Sequence, residues 1–407
     1  MDPFQPISRR DILRLGKTFG WTSTILAMIS FGGSATLPQL AKAAESINKN
    51  RLAKKTRVNL LFGAAIIGNN FEQIDIIGCS QFIRDLEERT DGEIRVELMD
   101  QNKICTQLDC VKRSRDGIID IYSSTTQNAS VAVPYFNVLD FPYLFPSRAA
   151  QNYFFYHFQS EKLLREPLIK HYGIRFLFTN CRLRGIMLGQ KWRDKPNLVN
   201  ISQLSGIKIR TTATHIGMLA LELLNMQTIP IPWEETAGAL KYGMVDAIES
   251  YESSVAAVIP ELLSQMIDIR LFSGNWHTGM NESVFQKLTP ELQNAVMESA
   301  YQTQVFIQLA SESAIINTVG GSSLQKQDTI FKKNGIRFVE LPEEELKKAE
   351  RLCSPEFNPK PWEEYREKLN KLAGNSDVYK EIYSIAREIP SDKLAENVQP
   401  YRWWKKR

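Results

Sequence analysis

The sequence predicts an α/β protein of two lobes joined by crossing strands and backed by a long helix. Three observations carry this. Strand and helix patterns alternate twice along the chain, the grammar of parallel sheets. Between the two series lies "IRFLFTNCRLRGIML", read as one long strand running from one lobe into the other. A chain of 407 residues is too long for one small domain and suits two.

The first series opens after a polar, basic lead-in at residues 44–56. "RVNLLFGAA" reads as a buried strand and "NNFEQIDIIGCSQFIRDLEERT" as an amphipathic helix. Asp91-Gly92 turns the chain into "EIRVELMD", where Ile94, Val96 and Leu98 alternate with charges. A second helix, "TQLDCVKRSRDG", leads into the strand "IIDIYSS". "PYFNVLDFPYLFPS" is an apolar loop punctuated by proline, and "RAAQNYFFYHFQSEKLLREPLIKHYG" reads as one aromatic-rich helix. The second series runs "GIKIR", helix, "TIPIPW", helix, "MVDAIES". The remainder is mostly helical. Its longest candidate starts at Thr289, a cap, with Pro290 in the first turn. "GIRFVEL" is a late strand, and charged helices follow as far as Ile389. The basic, aromatic end "YRWWKKR" reads as a docked or solvated terminus.

Composition places the chain among ordinary globular proteins, 43% hydrophobic and 24% charged. Its net charge of +4 owes most to residues 1–43, where Arg9, Arg10, Arg14, Lys17 and Lys42 face only Asp2 and Asp11. The rest carries no nucleic-acid footprint. Ser8-Arg9-Arg10, one free residue, then Ile12-Leu13-Arg14 resembles a twin-arginine export signal; an interrupted apolar stretch and the A-x-A site Ala41-Lys42-Ala43 follow. Residues 1–43 are therefore expected to be a cleaved signal, with the remainder soluble in the periplasm. Five cysteines are an odd count, not a disulfide framework; Cys105 and Cys110 are near enough to bridge, and buried thiols are an equal alternative. The four histidines show no metal spacing.

"SGIKIRTT", residues 205–212, poses the functional question. Its period of two places Arg210 at the carboxyl end of a strand, ahead of the helix "HIGMLALELLNM". In open α/β sheets ligands collect there, and a helix N-terminus favours anions.

The surrounding residues carry a resemblance. Gly206-Ile207-Lys208-Ile209-Arg210, Pro230-Ile231-Pro232-Trp233-Glu234-Glu235, Ala239-Leu240 and Gly243-Met244-Val245-Asp246-Ala247-Ile248-Glu249 follow one another in order. Together with "DGIIDIYSSTTQNASVAVPYFNVLDFPYLF" upstream, this resembles the substrate-binding proteins of tripartite ATP-independent periplasmic (TRAP) transporters, the dicarboxylate-binding, DctP-like type. The match runs from about Val58 to Leu341.

The resemblance implies a two-lobed, periplasmic-binding-protein-like α/β fold. Lobe I would take 56–181 plus about 270–309, lobe II 182–269 plus about 310–389, and 390–407 would be a C-terminal tail. It also implies an organic acid held in the cleft, Arg210 clamping the carboxylate, and delivery to membrane-embedded permease subunits. A second arginine is either Arg182 or Arg184; alternation puts both on one strand face, and Arg184 is preferred. Their spacing to Arg210 exceeds the family's, through an insertion around "KWRDKP". Trp233 stands where relatives lay an aromatic over the ligand. Glu249 and Ser250 end a strand at the site, Ser250 where many relatives carry Asn. Glu249 and Trp233 permit a sodium or calcium ion bridging the carboxylate. Thr125 and Asn128 replace the Glu and Arg of sialic-acid binders, which argues for a small hydroxy-, oxo- or dicarboxylate. Asn69 and Asn70 stand on the first strand–helix turn, within reach of the cleft. "SGNWHTGMNESVF" suggests that the returning cross-domain strand is shortened.

An exported enzyme acting on a small carboxylate in the same cleft is the alternative. No P-loop, G-x-G-x-x-G, G-x-S-x-G or metal spacing supports it. A sensory lobe would need a membrane anchor.

Overall fold

The computed structural model describes residues 36–52, 56–65, 74–320 and 328–405, together with Leu15, Thr24, Ile25, Ala27 and Met28. The twin-arginine segment and the Asn69-Asn70 turn lie outside the described residues. Ala41-Lys42-Ala43 falls within a helix, Leu37–Leu52.

In the first lobe, β1 (Val58–Ala64) pairs in parallel with β2 (Ile94–Met99) and β3 (Ile121–Thr125). The helices between them, Ile74–Arg89 and Cys110–Arg115, make these right-sized crossovers. Phe62, Phe82, Leu86, Ile121 and Phe178 fill the core beneath. The second lobe repeats the scheme. There β5 (Lys208–Thr211) lies between β6 (Gln227–Pro230) and β7 (Ala247–Ser250), parallel to both. Met187, Leu240, Val245, Ile248 and Val255 form its core.

Two long strands join the halves, as the run "IRFLFTNCRLRGIML" predicts for one of them. They are β4 (Ile174–Gly189) and β8 (Leu263–Asn281), antiparallel to one another. One end of β8 pairs with β3; the opposite end of β4 pairs with β7, and β9 (Arg337–Glu340) adds to β8 there. Among the described residues the result is one sheet, ordered β2-β1-β3-β8-β4-β7-β5-β6, with β9 beside β8.

The expected shortening of the returning strand is not observed, since β8 runs for 19 residues. The irregularity is instead a bulge. Between the pairs Arg184–Phe272 and Ile186–Ile267, the single residue Gly185 faces Asp268, Ile269, Arg270 and Leu271. Arg270 takes φ 54° within it. A side chain at Gly185 would press on Met266 Cε at 2.7 Å and on the Ile267 carbonyl at 3.0 Å, so the close approach requires glycine. Carbonyls that a bulge frees from the ladder need donors elsewhere. Tyr143 supplies two, its N–H to Leu271 O (2.9 Å) and its hydroxyl to Ile269 O (3.2 Å). The proline-punctuated loop thereby splints the crossing between lobes.

The aromatic-rich segment is not one helix. It breaks after Arg148–Tyr156, where His157 turns extended, and resumes as a π-helical turn, Glu161–Arg165, and then Glu166–Tyr172. The break lets buried Arg165 donate to Phe155 O and Ser160 Oγ.

The long helix is Pro290–Val319, about 45 Å at 1.5 Å per residue. Thr289 Oγ1 accepts Leu292 N–H at its start, and Gly320, φ 105°, ends it. Gln304 bonds both the N–H and the C=O of Thr179, and Ser311 donates to Asn180, so the helix braces the middle of β4. Among the described residues no helix is long and apolar enough to cross a membrane. The C-terminal tail is docked: Trp403 is buried, Arg402 and Lys405 both reach Glu298, and Gln308 binds the carbonyls of Ala395 and Val398.

Cys105 and Cys110 form a disulfide, while Cys79, Cys181 and Cys353 are buried thiols. The bridged loop is short, so the chain-entropy contribution is small, about 2 kcal/mol. Reduction with a mild thiol should lower the urea midpoint by that equivalent and leave a cooperative transition.

Candidate functional site

β5 is a central strand, so Arg210 is flanked by Ile229 of β6 and Ile248 of β7 and has little freedom to turn. Its side chain is 3% exposed. Nε donates to the Ile231 carbonyl at 2.8 Å, and the guanidinium carbon lies 5.6 Å from the Trp233 ring centroid. Neither Nη atom has a hydrogen-bond partner among the described residues. Burial, with Arg184's charge beside it, pulls the Arg210 guanidinium down to about 10, still protonated at neutral pH. A desolvated cation with its donor edge unsatisfied is an anion receptor. The helix after β5, His215–Leu223, does not add an open N-terminus, because Thr214 Oγ1 already accepts Gly217 N–H.

Arg184 approaches from β4. It forms an ion pair with Glu249 of β7, bonds the Glu249 carbonyl through Nη2 at 3.3 Å, and lies 5.2 Å from the Tyr251 ring centroid. Tyr251 in turn packs against Gly274 of β8, where any β-carbon would collide with its ring. Burial raises the Glu249 carboxyl, and the charges of Arg184 and Arg210 oppose that.

Behind this pair sits Asp140, fully buried in the proline-punctuated loop. Gln127 Nε2 donates to its Oδ1 at 2.5 Å, and Oδ2 has no partner among the described residues. Burial pushes its carboxyl up to about 7, against the pull of Arg184. Between the unfolded value of 3.8 and that figure, the folded protein holds a proton that the unfolded chain lacks. Taken alone, this group makes stability fall as pH rises through the window, by at most about 1.4 kcal/mol per unit, whereas the buried His277 imidazole, pulled down to about 3, acts in the opposite sense below its ordinary value of 6.5. The difference in urea midpoint between Asp140→Asn and the parent protein isolates Asp140: from pH 4.5 to 8 it should move in favour of the variant as pH rises. Glu249 contributes with the same sign, so some slope will remain.

These residues surround a cavity of about 310 Å³ whose walls come from both lobes. Of the residues expected at the site, Arg210, Arg184, Trp233, Ser250, Thr125 and Asn128 line it. Glu249 stands behind Arg184 rather than on the wall. Arg182 does not reach the cavity: it is sealed at 1% exposure in an ion pair with Glu252. Alternation alone misses this, because the bulge that begins at Arg184 gives the two arginines different neighbours. Asn70 is outside the described residues.

Sequence reading missed Gln107, Tyr251, Val258, Ile259 and Trp276, which also line the cavity. Tyr251 directly follows two named residues and was findable. Trp276 is the aromatic of the returning strand, and its Nε1 is fixed to Ser123 Oγ at 2.6 Å. Gln107 gives no signal in sequence; it is placed by Asn128 Nδ2, which donates to its Oε1 at 2.6 Å.

A bridging cation fits these residues poorly. Glu249 is committed to Arg184, Arg210 stands close enough to act on it, and among the described residues no three His, Cys, Asp or Glu side chains converge. A metal ion would have to enter between two guanidinium groups.

The chain resembles known proteins over most of its length. The family model for bacterial extracellular solute-binding protein, family 7 (DctP) matches residues 71–357. An uncharacterized protein of Haemophilus influenzae is 27% identical over 278 residues, 65% of this chain and 79% of that relative. The 2,3-diketo-L-gulonate-binding periplasmic protein YiaO of Escherichia coli is 24% identical over 240 residues, 56% of this chain and 67% of the relative. Among solved structures, a TRAP periplasmic solute-binding protein from Desulfovibrio salexigens, with bound orotic acid, superposes with a TM-score of 0.67 at 16% identity, covering 81% of this chain and 99% of that one. The match covers well over half the chain, in the region that builds both lobes and the cavity, and so the chain belongs to the bacterial extracellular solute-binding proteins of family 7, receptors of transporters rather than enzymes.

Proposed function

We propose that the protein captures a small organic carboxylate between its lobes, with Arg210 as the clamp, and delivers it to membrane-embedded TRAP permease subunits. The observation that carries this is the unpartnered Nη edge of a buried arginine, set in a cavity that both lobes wall. Arg184, Trp233, Ser250, Thr125 and Asn128 would complete the contact surface, with Glu249 orienting Arg184 from behind. Contacts that exist only when both lobes meet the ligand favour the closed state. The sheet supports the lobe division at 56–181 plus about 270–309 and 182–269 plus about 310–389, because β8 exchanges β3 for β9 as its second partner across the bulge at 268–271. A sodium or calcium ion is not needed for charge balance in this reading.

YiaO is described as periplasmic, and we place this protein there too, exported through Arg9-Arg10 and cleaved after Ala43. Thermal unfolding against a panel of organic acids tests the capture; saturating ligand at a hundred times its Kd adds about 2.7 kcal/mol to stability. A panel without a single upward shift would contradict it. Edman sequencing of periplasmic protein should begin at Ala44.

A further inference from the structure

Charge and wall chemistry say more about the cargo than that it is an acid. Two cations line the cavity among the described residues, Arg184 and Arg210, and Glu249 neutralises the first. Arg210 has no ion-pair partner among the described residues; the carboxylates of Glu249 and Glu234 act on it without contact. The other ionisable side chains on the wall among the described residues are Tyr251 and Glu234, the latter exposed at the rim. A second carboxylate on the ligand would meet Glu234 or Glu249 and no free cation.

Several polar atoms of the wall are committed to the protein, while Gln107 Nε2, Asn128 Oδ1 and Trp233 Nε1 have no hydrogen-bond partner among the described residues. Thr125 caps the turn through Asn128 N–H, Asn128 Nδ2 holds Gln107 Oε1, and Thr236 Oγ1 donates to the Pro232 carbonyl at 3.2 Å. Trp276 spends its N–H on Ser123. What faces the ligand is mostly carbon: the rings of Trp233 and Trp276 with Val258 and Ile259. The hydroxyls of Thr212, Ser250 and Ser254 have no side-chain partner among the described residues, enough for one oxo or hydroxyl group beside the carboxylate. On a wall that is mostly carbon, a polyhydroxylated acid carries more hydroxyls than these few groups can serve, and each one buried without a partner weakens binding roughly five-fold or more.

Building on the carboxylate-capture reading, we propose that the preferred cargo is a monocarboxylate with an apolar or aromatic body, optionally bearing a 2-oxo or 2-hydroxy group. Dicarboxylates and sugar acids are disfavoured. The volume suits a molecule of on the order of a dozen heavy atoms.

Titration calorimetry of the purified protein, freed of bound solute, decides the matter with five probes: 3-phenyllactate, 4-methyl-2-oxopentanoate, succinate, galactonate and the neutral 3-phenylpropan-1-ol. The two apolar acids should bind at least ten-fold more tightly than succinate or galactonate, and the alcohol at least a hundred-fold more weakly than phenyllactate. Succinate or galactonate binding as tightly as the apolar acids overturns the proposed cargo class and leaves carboxylate capture standing. Equal binding of alcohol and acid, or no binding of any acid, overturns capture itself. Glu249→Gln supplies a second arm: freeing Arg184 should move the succinate-to-phenyllactate affinity ratio at least ten-fold toward succinate. An unchanged ratio in a folded variant refutes the charge argument even if the wild-type ranking holds.

Discussion

Arg210→Met lowers affinity for the tightest-binding carboxylate of such a panel by ~100-fold or more, while stability in the ligand-free state is unchanged or slightly raised. The first half follows from the cost of truncating one partner of a desolvated, hydrogen-bonded charge pair, about 2–5 kcal/mol. The second follows from what Arg210 does without ligand. Among the described residues it is a buried cation with no ion-pair partner and one side-chain hydrogen bond, to the Ile231 carbonyl. A site poised for an anion is a cost to the empty fold. Arg210→Lys separates charge from shape: it keeps the cation but loses both the fork and the Ile231 bond, and should recover only part of the affinity. Calorimetry for binding and urea midpoints for stability check both halves. Undiminished affinity in the methionine variant would mean that the cavity does not hold its ligand by this group.

The sequence was most informative where local pattern and structure obey the same rule. Lys208–Thr211 alternates as a strand because β5 is flanked on both sides, and that alternation puts Arg210 at its end. Thr289 and Pro290 announce the long helix because capping is decided within a few residues. Legibility fails where geometry is set by distant partners. Which of Arg182 and Arg184 faces the cavity depends on a bulge in β8, about ninety residues away, and nothing near either arginine encodes it. Gln107 enters through a side-chain bond with Asn128, twenty-one residues on. Asp140 looks like an ordinary loop acid in "NVLDFP"; its raised carboxyl arises from the burial that the whole loop undergoes. Sequence cannot decide between a Cys105–Cys110 bridge and two thiols, because proximity along the chain does not settle whether two Cβ vectors converge.

Arg182 provides the second large effect, on stability rather than on recognition. Glu252→Gln should cost about 3–5 kcal/mol, because it leaves a guanidinium at 1% exposure without its counter-ion. Among the described residues Arg182 Nε and Nη2 already lack hydrogen-bond partners, so the pair rests on the contact that the substitution weakens. Replacing both partners, Arg182→Met with Glu252→Leu, should recover most of the loss, since an apolar pair of similar volume carries no desolvation cost. A penalty under about 1 kcal/mol for Glu252→Gln would show instead that the pair is solvated. The consequence for binding separates this pair from Arg210. Glu252 opens the helix Glu252–Val258, and Ser254 and Val258 of that helix wall the cavity. The single variant should therefore weaken ligand binding by loosening one wall, and the double variant should restore it. For Arg210 no such rescue exists, because the missing group is the one the carboxylate itself would touch.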